Sequence, residues 1–314
     1  MSARLRGTVW AALVVLASVH ASSVIAQDYR TYTTVKNPGQ YAINWRAFYE
    51  RAEALTDAAR RAIPHTLDVP FVTGSNPILG GAGKQRLDLY LPVKKPTRAP
   101  VFLFIHGGGF VEGDRRQYGY VATPLAAQGV ITAVMSYRLS PSVYPAQVED
   151  VELAVTWLAK NIAAHGGDPA RIFVGGHSAG AILSALVGVR TDWQAARGLA
   201  RDVVKGIVPV SGPYDLRGLG GFVANFIPAD GLDRSAASPL LRIARTPPAV
   251  VAYGEKEVPY ASGSAALVDA LKARGGTATL VPLTGMAHDE TALALADPNS
   301  PLTTAAITLI TGTR

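Results

Sequence analysis

The sequence contains no cysteine, and this absence excludes several kinds of chemistry. Without a thiol the chain forms no disulfide, holds no cysteine-ligated zinc and has no cysteine nucleophile. A lipoprotein is excluded as well, because that modification needs a cysteine to carry the lipid. Disulfide-stapled domains and thiol enzymes are therefore ruled out as classes.

Charged residues are also few, at 17% of the chain, whereas hydrophobic residues make up 48%. The net charge is +7, but the 30 lysines and arginines are scattered and form no dense basic run. We therefore expect them to cover a solvated surface and expect no nucleic-acid binding. The 314 residues are enough for two domains or one large α/β domain with a sizeable core, which excludes wholesale disorder.

The N-terminal residues have the layout of a secretory signal peptide. Arg4 and Arg6 precede an apolar run at 8–18, and small residues at 24–26 form a cleavage site before Gln27. The run of 11 residues is too short to cross about 30 Å of hydrocarbon, so we expect no stable membrane insertion after cleavage. We predict a signal peptide at 1–26, a mature domain at 27–314, and a periplasmic or secreted protein.

Beyond this segment, short apolar strands alternate with amphipathic helices. Segments 43–63, 146–163 and 181–189 are predicted helices. The predicted strands are 68–72, 87–91, 101–105, 130–135, 172–174, 207–210, 249–252 and 279–281. This alternation predicts an α/β fold with a mainly parallel central sheet and helices on both faces.

Two segments are candidates for a small cap over the sheet. Residues 213–246 interrupt the alternation and are rich in loops, so they form either an inserted cap or an irregular crossover. The N-terminal extension at 31–62 either covers the active site or mediates pairing between chains.

The first chemical motif is Gly-His-Ser-Ala-Gly at 176–180, between a predicted strand and a predicted helix. In this context a strained turn lifts the hydroxyl of Ser178 above the sheet edge, and close packing requires the two glycines. Ala179 opens the helix, so its N–H and the positive helix end face the same point as the serine oxygen. We predict that Ser178 is a nucleophile and expect the side chain of His177 to turn elsewhere.

A second motif, His-Gly-Gly-Gly-Phe at 106–110, follows the strand predicted at 101–105. Its glycines leave backbone N–H groups unshielded, so they can point at a developing negative oxygen. A phosphate-binding loop and a plain turn are the alternatives. The chain contains no G-x-x-x-x-G-K-[ST] segment, and Glu112 occupies the last glycine position of a G-x-G-x-x-G pattern beginning at Gly107.

The general base is identified by elimination among six histidines. Only His288 follows Ser178 in the chain, just past the last predicted strand. The acid that orients it is less sharply defined. Glu257 follows the strand at 249–252 and is our choice, while Glu255 and Asp289 are its rivals.

These motifs together resemble the α/β-hydrolase superfamily, and within it the hormone-sensitive-lipase-like carboxylesterase branch. The resemblance runs from about residue 87 to residue 288. It includes Ser-Tyr-Arg-Leu at 136–139, Tyr-Pro at 144–145, Asp150, Trp157 and Gly-Asp-Pro-Ala-Arg at 167–171. It implies that the N–H groups of Gly108, Gly109 and Ala179 form the oxyanion hole.

Two residues depart from the family pattern. Glu257 stands where the family usually has aspartate, and His177 stands where this branch often has aspartate. With these two residues and with Ser-Gly-Pro-Tyr-Asp-Leu at 211–216, the chain resembles the arylformamidase-like neighbours of the branch.

We therefore expect a serine carboxylesterase that hydrolyses small-molecule esters without a cofactor or metal. The resemblance implies short to medium acyl chains. An arylformamidase would use the same residues on an N-formyl aromatic amide, although the export signal argues against it. A secreted peptidase is a further alternative. A non-catalytic binding protein would need a broken triad.

Overall fold

The computed structural model describes residues 35–36, 42–72, 84–94, 97–228 and 233–312. The predicted signal peptide at 1–26 lies outside these residues. Among them, no helix combines the length and the apolar character that crossing a membrane requires.

The helices and strands are named in chain order. The strands are β1 (Val35–Lys36), β2 (Ala42–Ile43), β3 (His65–Pro70), β4 (Arg86–Tyr90), β5 (Ala99–Ile105), β6 (Ile131–Met135), β7 (Gly167–His177), β8 (Val204–Val210), β9 (Ala249–Gly254) and β10 (Ala278–Leu283). The α-helices are α1 (Trp45–Ala62), α2 (Ala122–Ala127), α3 (Ala146–Asn161), α4 (Ala179–Val189), α5 (Val258–Lys272), α6 (His288–Leu293) and α7 (Pro301–Gly312).

The central sheet has eight strands in the order β10-β9-β8-β7-β5-β6-β4-β3. The pairs from β10 to β6 are parallel, while β4 pairs antiparallel with both β6 and β3. Strands β1 and β2 form a separate two-stranded sheet. The predicted mainly parallel sheet is confirmed. Because the carboxyl ends of parallel strands meet at one edge, the loops after β5, β7, β8, β9 and β10 converge there.

The sheet separates two layers of hydrophobic core. Strand β5 is buried along its whole length, and its side chains alternate between the layers. Val101, Leu103 and Ile105 pack with residues of α3 and α4 in one layer. Phe102 and Phe104 pack with residues of α1, α2 and α7 in the other. Helices therefore cover both faces, which explains why β5 has a continuous apolar sequence.

Helix α1 confirms the helix predicted at 43–63. The Asn44 side chain accepts a hydrogen bond from the Ala47 N–H at 3.0 Å, and the helix ends before Pro64. Its buried side, which includes Phe48 and Tyr49, packs into the second core layer. This packing places Trp45, at the start of the helix, at the carboxyl edge of the sheet.

The described part of 213–246 contains 3-10 helices at Gly221–Asn225 and Pro239–Leu241 but no α-helix or strand. The ring of Phe226 stacks on that of Phe110 with centroids 4.3 Å apart. The Asn225 side chain also donates to the Gly109 carbonyl at 3.2 Å. This segment therefore packs directly on the glycine-rich loop.

Candidate active site

Ser178 occupies the sharp turn between β7 and α4. Its backbone has φ +56° and ψ −115°, a left-handed conformation that is strained for any residue with a Cβ. A Cβ on Gly180 would lie 2.1 Å from the Ile105 carbonyl oxygen, and one on Gly176 would lie 2.5 Å from the Gly180 carbonyl oxygen. Glycine is therefore required at both positions, for the steric reason that the motif implies.

Ser178, His288 and Glu257 form one chain of hydrogen bonds. The Nε2 atom of His288 lies 2.9 Å from Oγ of Ser178, and its Nδ1 atom makes a short contact with Oε1 of Glu257. Ser178 and His288 are each 7% exposed, and Glu257 is completely buried. The three residues follow β7, β10 and β9, so the parallel sheet brings them to one edge.

The rival acids lie elsewhere. Glu255 is exposed and accepts a hydrogen bond from the Gly285 N–H at 2.9 Å. Asp289 is half-buried beside His288, but no hydrogen bond joins it to the imidazole. The structure therefore places Glu257 alone of the three candidates on the imidazole of His288.

The three N–H groups expected to form the oxyanion hole are Gly108, Gly109 and Ala179. None of them donates to an acceptor within the described part of the chain. Gly108 has φ +108° and Gly109 has φ +57°, and a Cβ on Gly108 would lie 2.3 Å from the Glu112 carbonyl oxygen. A Cβ on Gly107 would lie 3.2 Å from Cβ of Ser178, so this loop packs directly on the serine.

The buried side chain of His106 holds the glycine-rich loop in place. Its Nδ1 donates to the Gly107 carbonyl at 2.6 Å, and its ring stacks on Tyr137 at 4.4 Å. Burial is the main reason why the pKa of His106 falls to about 4, and the nearby Lys84 ammonium lowers it further. The ring is therefore neutral near pH 7, with its proton on Nδ1.

Sequence reasoning missed two hydroxyls beside the acid. Ser211 Oγ donates to Oε2 of Glu257 at 2.5 Å, and Thr291 Oγ1 lies 2.8 Å from Ser211 Oγ. The Gly254 N–H donates to the same carboxylate oxygen at 2.6 Å. A serine directly after β8 was the only local signal for Ser211, and nothing local indicated Thr291.

The His177 side chain turns away from the Ser178 hydroxyl, as expected, but it contacts the general-base candidate. Its Nε2 lies 2.8 Å from the His288 carbonyl oxygen, and the two rings are 4.6 Å apart. Burial holds the pKa of His177 well below its usual value, and the adjacent His288 lowers it further. His177 is therefore a neutral hydrogen-bond donor to the His288 backbone.

Aromatic rings surround the His288 imidazole and the glycine-rich loop. Tyr260 stacks on His288 at 5.2 Å, and Trp45 meets it edge-on at 6.3 Å. Phe222 lies over the loop, close to Gly109. No group of three or more metal-ligating side chains is found among the residues that the structure describes.

Comparisons with known proteins relate this chain to esterases and to a formamidase. A family model described as BD-FAE matches residues 87–227. The esterase LipQ of Mycobacterium tuberculosis is 31% identical, and the alignment covers 84% of this chain and 68% of LipQ. The kynurenine formamidase of Danio rerio is 28% identical, with 55% of this chain and 54% of that enzyme covered.

Among solved structures, a hyperthermophilic esterase from the archaeon Pyrobaculum calidifontis is similar, with a TM-score of 0.67 and 25% identity. The alignment covers 85% of this chain and 92% of that one. This chain spans between 35% and 68% of the length of LipQ and three other curated relatives.

Proposed function

This chain belongs to the α/β-hydrolase superfamily, in the hormone-sensitive-lipase-like branch of esterases, and on that premise we propose that it is a serine carboxylesterase. Its substrates are small-molecule esters with short to medium acyl chains. The observation that carries the proposal is the unbroken hydrogen-bonded chain from Ser178 through His288 to Glu257, beside backbone N–H groups that have no acceptor in the described structure.

The first half of the reaction acylates the serine. His288 Nε2 takes the proton from Ser178 Oγ as that oxygen attacks the ester carbonyl. The buried Glu257 carboxylate accepts a hydrogen bond from the Nδ1–H group of His288 and stabilises the imidazolium. His288 then gives its proton to the leaving alcohol, and the acyl group stays on Ser178.

The second half returns the enzyme to its starting state. His288 takes a proton from water, which attacks the acyl carbonyl, and then returns that proton to Ser178 as the acid leaves. In both halves the N–H groups of Gly108, Gly109 and Ala179 hold the tetrahedral oxyanion. Each such donor is typically worth about 10² to 10³ in rate.

The site of action that we propose is the periplasm or the extracellular medium. The support is the pattern of residues 1–26, where a short positive region and an apolar run precede small residues.

A formamidase is the second candidate function. The relative from Danio rerio supports it, and so does the departure from the esterase pattern at His177. Both candidates use the same nucleophile, base and acid, so the substrate distinguishes them.

Turnover of p-nitrophenyl butyrate tests the proposal, with Ser178→Ala as the matched control and N-formylkynurenine as the competing substrate. We expect rapid ester hydrolysis that falls by about 10⁶ in the alanine variant, because the triad acts as a unit. If the folded protein hydrolyses only the formamide, the esterase proposal is wrong and the formamidase is supported. Folded protein that turns over neither substrate would contradict both.

A further inference from the structure

A second hydrogen-bonded chain ends on the Glu257 carboxylate. It ends at Oε2, whereas His288 contacts Oε1. It passes through His177, Thr291 and Ser211, which lie on β7, on α6 and directly after β8. Ser211 and Thr291 are completely buried and His177 is 2% exposed. None of these three side chains takes part in the acyl transfer described above.

Hydrogen bonds link this chain to both the acid and the His288 backbone. A carboxylate can only accept, so the 2.5 Å contact takes the Ser211 proton. The single Thr291 proton has two acceptors within reach, Ser211 Oγ at 2.8 Å and the His288 carbonyl oxygen at 2.8 Å. His177 Nε2 lies 2.8 Å from the His288 carbonyl and 3.2 Å from Thr291 Oγ1, and both of these oxygens accept from it.

The strained backbone of Ser211 is evidence that its hydroxyl has a role. Its φ is +54°, in the left-handed region that glycine adopts without strain and serine adopts only with strain. The next residue is already a glycine, so a glycine at 211 would relieve the backbone. What a glycine would lose is the hydrogen bond from Oγ to the carboxylate of Glu257.

From these contacts, and on the basis of the proposed hydrolase function, we infer that Ser211 and Thr291 are positioning residues that hold Glu257 against His288. His177 begins the chain. The two departures from the family pattern, glutamate at 257 and histidine at 177, are thereby connected: the longer acid reaches His288 with one oxygen and is fixed by Ser211 and Gly254 at the other.

A pair of substitutions at one position tests the role of Ser211. Ser211→Ala keeps the backbone strain and Ser211→Gly removes it, so we expect the glycine variant to have the higher Tm. Both lack the hydroxyl, and hydrogen bonds to charged groups are strong, so we expect kcat to fall by about 10- to 100-fold in both. KM should stay unchanged, because Ser211 does not touch the substrate. Recovery of kcat in Ser211→Gly would show a merely structural role and overturn the inference.

A double-mutant cycle tests whether the residues act as one chain. We expect Thr291→Val to lower kcat by about two- to tenfold, since a neutral hydrogen bond is lost. Thr303→Val is the matched control, because it removes another buried threonine hydroxyl, which bonds to the Ala294 carbonyl. The combination of Ser211→Gly and Thr291→Val should lower kcat by less than the product of the two single losses, because both variants remove the contact between Ser211 and Thr291. Independent, multiplied losses would contradict a shared chain.

The titration of His288 supplies a readout that does not depend on turnover. The titratable groups around its ring are Glu257, His177, Tyr260 and Asp289, and from α1 it meets the uncharged Trp45. If Ser211 holds Glu257 against His288, its loss weakens the stabilisation of the imidazolium, so Ser211→Gly should move the His288 titration, followed by NMR, to lower pH. A titration that stays in place or moves to higher pH overturns the inference. If the wild-type protein hydrolyses no ester, the proposed function fails while this titration still decides the role of Ser211.

Discussion

Two glutamates, only two positions apart, have different environments at the end of β9. Glu257 is completely buried and receives hydrogen bonds from His288, Ser211 and Gly254. Glu255 is exposed and receives one bond from a backbone N–H. Burying a charged carboxylate is costly unless donors surround it, so these hydrogen bonds support our proposal that Glu257 is the acid of the triad.

Replacing each glutamate by glutamine tests this difference between single residues. Glu257→Gln removes the charge that stabilises the imidazolium, so we expect kcat for p-nitrophenyl butyrate to fall by about 10³ to 10⁴. Glu255→Gln should leave kcat within about twofold, because surface substitutions rarely matter. Equal losses in the two variants would refute Glu257 as the acid.

Helix α4 has to begin very close to β5, and this approach decides which residues its first turn tolerates. Gly180 lies in that turn, where a Cβ would come within 2.1 Å of the Ile105 carbonyl oxygen. Gly263 is also a helical glycine, in α5, but a Cβ there would have its nearest neighbour at 4.0 Å. The two glycines therefore differ in steric environment while sharing a secondary structure.

Alanine substitution at these two helical positions should change stability in opposite directions. Gly263→Ala should raise the free energy of unfolding by about 0.5 to 1 kcal/mol, because alanine favours a helix. Gly180→Ala should lower it by about 1 to 3 kcal/mol and reduce kcat, because backbone must shift at the serine turn. Chemical denaturation measures both values. A Gly180→Ala variant as stable and active as the wild type would contradict the packing described here.

Sequence patterns predict the parts of this molecule that are set by local structure. The apolar run of β5, the turn at Ser178 and the helix α1 each have a signal within a few neighbouring residues. Ser211 has only its place directly after β8 and Thr291 has no local signal, because they meet Glu257 and each other only through packing between elements 46 and 80 residues apart in sequence. Likewise, the contact between His177 and the His288 backbone depends on where α6 lies.

On the scale of the whole molecule, neutral histidines are buried beside the sheet. His106 is completely buried, and its pKa is lowered to about 4 from an ordinary value of 6.5. Between these pH values His106 binds more protons in the unfolded chain than in the folded chain. The contribution of neutral His106 to the free energy of unfolding is therefore complete above pH 6.5 and is lost as the pH falls toward 4. The lowered pKa of His177 also makes the folded state less stable as the pH falls. Burial raises the pKa of Asp88 to about 6, and this group instead makes the folded state less stable as the pH rises.

Comparison with His106→Asn isolates one of these contributions, because the other groups are common to both proteins. Asparagine keeps a donor for the Gly107 carbonyl but does not titrate. We expect the wild type to lose its stability advantage over the variant by up to about 1.4 kcal/mol per pH unit as the pH falls below 6.5. Urea denaturation at a series of pH values measures the difference. Parallel stability curves would contradict a neutral His106.

The identity of the nucleophile is tested most directly by covalent trapping. An alkyl phosphonate with a p-nitrophenol leaving group mimics the tetrahedral intermediate and remains on the attacking oxygen. Peptide mapping by mass spectrometry should find one adduct per chain, on Ser178, with stoichiometric release of nitrophenol and no adduct in Ser178→Ala. Labelling of another residue, or equal labelling of the alanine variant, would contradict the account.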